Sequence, residues 1–87
     1  MKLTESRHRL TNNKFYTGRY KKFECYINYS NHYAGWYYTL ISNDIRDIRY
    51  NSLWDNKTFT SKEECVTACQ NYIDEVNKNA KISSKLE

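Results

Sequence analysis

From Phe23 to Ser30 the chain alternates with a period of two. Phe23, Cys25, Ile27 and Tyr29 fall on one side of an extended backbone, and Glu24, Tyr26, Asn28 and Ser30 on the other. The same period returns in "GWYYTLIS", with Trp36, Tyr38 and Leu40 on one face and Tyr37, Thr39 and Ile41 on the opposite one. The intervening "NHYAG" has the length and composition of a hairpin connection, with Gly35 expected to take the positive φ. After a second turn at "SND", "IRDIRY" predicts a third strand whose charges place it at an edge or half-exposed. "NSLWDN" predicts an irregular connection that tucks Leu53 and Trp54 under the next element.

The period then changes. Ser61 with Glu64, or Thr60 with Glu63, fits a capping box, in which a hydroxyl accepts from an orphan helix N–H and a carboxylate reaches back. Beyond the cap, Cys65, Cys69, Tyr72, Ile73, Val76 and Ala80 form one helical stripe, and Lys62, Glu63, Gln70, Asn71, Asp74 and Asn77 take the rest of the surface. Early glutamates with late Lys78 and Lys81 suit the helix dipole. The predicted order is β-β-β-α, an α+β fold in which a three-stranded antiparallel sheet packs against one C-terminal amphipathic helix. Residues 1–13 lack periodicity and are expected to be a mobile basic tail, residues 14–80 the single domain, and 81–87 a disordered end whose Leu86 and Glu87 read as vector-derived.

Composition sharpens this picture. In 87 residues the aromatic complement is nine Tyr, three Phe and two Trp, enough ring area to fill the core of a small domain. No apolar run is long enough to span a bilayer. The opening "MKLTESRHRL" is charged where a signal peptide needs its apolar stretch, so the expected location is cytoplasmic. An odd, low count of three Cys points the same way, to reduced thiols. The net charge of +4 is uneven. Residues 1–22 hold seven basic side chains against one acid, Glu5, a local balance of +6, while residues 23–87 hold seven basic and nine acidic, a balance of −2. Such asymmetry fits a basic arm for an anionic partner, or a terminus kept soluble by its charge.

Two resemblances attach to these residues. "NKTFTSKEECVTAC" resembles the closing stretch of Kunitz-type inhibitors, but that family requires six half-cystines and a Cys-flanked inhibitory loop, and only Cys25 precedes this segment. The shared letters follow from a hydroxyl cap, acids and small buried residues at a helix start. In order of elements, "GWYYTLI…TFTSKEECVTACQNYIDEV" is similar to AP2-like domains and the arm-type DNA-binding domains of tyrosine recombinases, and to short bacterial and phage proteins of uncharacterised role. That resemblance implies three strands, a helix and a DNA-binding sheet. Those binders carry dense basic residues on the strands, whereas here they concentrate before the first predicted strand.

Candidate chemistry is sparse. Three thiolates with His32 would make a zinc ligand set, but no C-x-x-C pair exists and all three cysteines lie on core faces, so they are assigned to the core. His8 and His32 lack partners for nucleophilic or general-base work, and Asp44, Asp47 and Asp55 lack metal-loop spacing. The expectation is a non-enzymatic protein with no cofactor and no metal. What remains is the sheet face turned away from the helix, with Tyr26 and Tyr37, Arg46 or Arg49 nearby, and Arg19, Lys21 and Lys22 at the strand entry. Two functions fit that surface. One is docking on a protein partner through the tyrosine-rich face, the preferred reading because the folded part is net acidic. The other is nucleic-acid binding by the same face and the basic arm. The "IRDIRY" edge would also support a dimer in place of a monomer.

Overall fold

The structure, a computed structural model, describes residues 1–11, 13–44 and 47–86, with side chains as far as Asn79. Its order is β1 (Thr4–Arg7), β2 (Lys14–Tyr20), β3 (Phe23–Ser30), β4 (Gly35–Ser42), β5 (Arg49–Asn51), a 3-10 turn (Ser52–Asp55) and α1 (Lys62–Leu86). The strands form one antiparallel meander in sequence order, so the sheet has five strands where the pattern predicts three. The extra two come from the basic N-terminal stretch. Within the expected mobile tail, Thr4–Arg7 pairs with β2, from Thr4 opposite Thr17 to Arg7 opposite Lys14. Helix α1 runs past residue 80, where the sequence closes the domain, and Glu87 lies outside the described residues.

One layer of side chains holds helix to sheet. Phe23, Cys25, Ile27, Tyr38, Leu40 and Tyr50 rise from the inner face, and Cys65, Cys69 and Ile73 descend from α1; all nine are buried. Tyr72 and Val76 complete the stripe at its border, as the helical period predicts. Aromatic rings widen this thin core: Tyr72 stacks on Tyr50 at 4.2 Å, and Tyr38 lies 5.9 Å from Tyr50 and 6.1 Å from Phe59. The cysteines are free thiols that serve as small apolar fillers. The helix starts as its cap predicts. The Glu64 N–H donates to Ser61 Oγ at 3.1 Å, and the Glu64 carboxylate accepts from the Thr60 N–H and hydroxyl.

Two local expectations change. Ala34, not Gly35, takes the positive φ of the β3–β4 turn, at 51°. Gly35 is needed for a different reason, since a Cβ there would meet Thr58 Cβ at 2.8 Å. The close approach lets Phe59 and Trp36 exchange two backbone hydrogen bonds of 2.8 Å, which extends the β4 ladder beyond the short β5. The "NSLWDN" connection is a 3-10 turn capped by the Asn51 side chain on the Leu53 N–H. Ser52 is its buried residue, and Trp54 stands 67% exposed instead of tucking under the helix.

The dry thiols and phenols make the core sensitive to alkali. Burial pushes the Cys65 thiol up to about 12 from 9.0 and the Tyr50 phenol up to about 12 from 10.0. The hydrogen bond shared with Cys25, together with burial, holds Cys69 far above the thiol range, and burial raises Tyr38. Unfolded chains release these protons first, so the native state binds more protons and stability falls as pH rises from about 9. Urea titrations across this range should show that loss. Cys65→Ala should lower stability near neutrality yet flatten the decline by one proton, about 1.4 kcal/mol per pH unit. A pH-independent stability up to 11 would contradict the assignment.

Candidate functional site

Helix α1 packs on the inner side of the sheet, chiefly over β3 and β4, and among the described residues it leaves the opposite side uncovered. The register sets its residues in rows across the strands. Thr4, Thr17, Tyr26, Thr39 and Asn51 make one row; Arg19, Glu24, Ile41 and Arg49 make the next. Tyr37, opposite Asn28, and Phe15, opposite Ser6, lie on the same face towards the far end. The β1–β3 part of this face holds a hollow of about 450 Å³, lined by Lys2, Thr4, Thr17, Arg19, Glu24 and Tyr26.

Inside it the Tyr26 hydroxyl donates to Glu24 at 3.2 Å. Partial burial, then the Glu24 charge, raises the phenol above its ordinary range, so Tyr26 stays a neutral donor. Lys2 and Arg19 are exposed cations at the rim. At the opposite end of the face the His8 and Phe15 rings meet at 4.7 Å. The arrangement supplies half-buried rings, hydroxyls and two cations against one carboxylate.

The residues expected at the site separate into groups. Arg19, Tyr26 and Tyr37 share the open face, and Arg49 joins them across from Ile41, with its guanidinium 3.5 Å from Asp47. Lys21 does not. Its ammonium turns to the helix side, 2.7 Å from Asp74, whose carboxylate also accepts from the Tyr20 hydroxyl. The Lys21 hydrogen bond holds the Asp74 carboxyl below the ordinary range. Lys22 sits in the β2–β3 turn and lines a separate groove with Arg19, Asn43 and Asp44. Arg46 lies outside the described residues.

Lys2, Thr4, Thr17 and Phe15 are absent from the sequence-based expectation because β1 and β2 are absent from it. The signal was present in "KFYTGRY", where Phe15, Thr17 and Arg19 alternate with Tyr16, Gly18 and Tyr20. Gly18 carries no side chain because Met1 and the Lys2 carbonyl lie where its Cβ would be, each at 2.8 Å. Among the described residues, no group of three or more His, Cys, Asp or Glu is placed to hold a metal ion, and no helix is long and apolar enough to cross a membrane. Comparison with known proteins finds no match: no family model, no curated protein and no solved structure matches the chain.

The turn that carries Lys21 and Lys22 makes its own demand. A two-residue link between Tyr20 and Phe23 with φ of 47° and 69° is a type I′ geometry that favours Asn and Gly. Lys21 is compensated by its contacts with Asp74 and Tyr20. Lys22→Gly should therefore raise stability by roughly 0.5–1 kcal/mol, because a non-glycine residue in the left-handed region costs about 1–2 kcal/mol and the greater chain entropy of glycine offsets about half of the gain. A fall in the unfolding midpoint would contradict this reading of the turn.

Proposed function

We propose that the chain is a small non-enzymatic binding module that docks on a protein partner through the open face of its sheet. The single observation that carries this reading is an uncovered face bearing Phe15, Tyr26 and Tyr37 beside Lys2, Arg19 and Arg49. Tyrosine and arginine are the residue types most effective at interfaces, because they bring apolar area together with a polar tip. Each of these three rings is half-buried. Glu24 is the one carboxylate in the hollow and already accepts from Tyr26. Charge complementarity then calls for a partner with an apolar centre ringed by carboxylates.

The immobilised chain should retain such a protein from a lysate of the source cells after nuclease treatment. Arg19→Glu and Tyr37→Ala should each reduce retention at least about tenfold, a loss of the size of one hot-spot contact, without lowering the melting temperature. Retention abolished by nuclease, or unchanged in Arg19→Glu, would defeat the proposal.

A further inference from the structure

A second surface lies on the other side of the sheet, at the end where α1 begins. Strand direction brings the β1–β2 connection (8–13) and the β3–β4 connection (31–34) together at that end. The strands outrun the helix there, so inner-face residues that would otherwise be core are left in solvent. Tyr29 pairs with Trp36 across β3 and β4, with rings 5.6 Å apart and edge-to-face, and Tyr29 is 49% exposed. The Tyr16 ring continues the line 6.2 Å from Trp36. Tyr33, in the adjoining turn, is 54% exposed with His32 against it at 4.7 Å.

Cations flank this line of rings. The Lys62 ammonium stands 4.3 Å over the Tyr16 ring. Lys14 lies two residues along β2 from Tyr16, on the same side, opposite Arg7. Glu5 is the nearby acid, accepting from the Tyr16 hydroxyl and holding Lys14 at 3.8 Å. Glu63 and Glu64 belong to the other flank of the helix, where they line a groove with Phe59 and Ala68.

We infer that this end of the molecule binds single-stranded nucleic acid, with unpaired bases stacking on Tyr29, Trp36 and Tyr33 and phosphates meeting Lys14, Lys62 and Arg7. Exposed rings bordered by cations are what a single strand needs; a duplex hides its base faces. The inference rests on different residues from the docking face and stands or falls separately.

The test is fluorescence anisotropy of a labelled oligothymidylate of ~12 nucleotides with the full chain. Binding should weaken with salt at a slope of roughly −2 for three phosphate contacts. Tyr29→Ala, at an exposed position, should lose at least about tenfold in affinity while keeping its melting temperature. Lys14→Gln with Lys62→Gln should flatten the salt slope, Glu5→Gln should tighten binding, and Tyr26→Ala on the open face should change nothing. No binding at low salt, equal affinity for a duplex of the same length, or wild-type affinity in Tyr29→Ala would each overturn the inference.

Discussion

The seam between α1 and the strands β3 and β4 is the contact on which the rest of the molecule depends. Cys65, Cys69 and Ile73 insert among Phe23, Cys25, Ile27, Tyr38 and Leu40, and these side chains are almost wholly removed from water. A sheet alone would leave that face wet, and a helix of mean hydropathy this low has no reason to persist unpacked. Each element therefore supplies the other's missing solvent shield. The fillers are small: three thiols stand where longer side chains would hold helix and sheet farther apart. The Tyr50–Tyr72 stack and the Tyr20–Asp74–Lys21 cluster then fasten the two flanks of the helix.

That seam also decides what is left over. One helix packs chiefly over two strands and reaches β2 and β5 only at its flanks, while the sheet has five. The surplus is the whole outer face, with its hollow between β1 and β3, and the inner face beyond the start of α1. Both surpluses are aromatic and both are bordered by basic residues of the N-terminal stretch, which the meander spreads over the two sides. Lys2 and Arg19 go to the outer face, Arg7 and Lys14 to the inner, and Lys21 to the helix. The local charge excess of that stretch is thus divided among three sites instead of forming one arm.

The legible part of the fold was the part written in burial. Where one face of an element is dry, the alternation in "FECYINYS" and the stripe from Cys65 to Val76 record it directly, and those elements match the structure. β1 and β2 are only faintly legible because neither has a fully buried residue. Their inner positions are Glu5, Arg7, Lys14, Tyr16, Gly18 and Tyr20, and Met1 fills the space at Gly18, so charges and a glycine interrupt the alternation that "KFYTGRY" carries. Trp54 was misplaced for a related reason. Its hydrophobicity argues for burial, yet the capped 3-10 turn directs Ser52 inward and leaves the indole edge-on to Tyr50. Of the site, Tyr26 and Tyr37 follow from parity alone, whereas Arg19 needs β2, and the destination of Lys21 depends on Asp74, fifty-three positions away.

Native-state labelling of the thiols is the most direct measure of the seam. With a maleimide in excess and no denaturant, Cys25, Cys65 and Cys69 should label together, at a rate set by the global unfolding equilibrium and rising in step with it as urea is added. Labelling of any one of them at the rate of an accessible cysteine, under conditions where the sheet remains folded, would show that α1 does not roof β3 and β4.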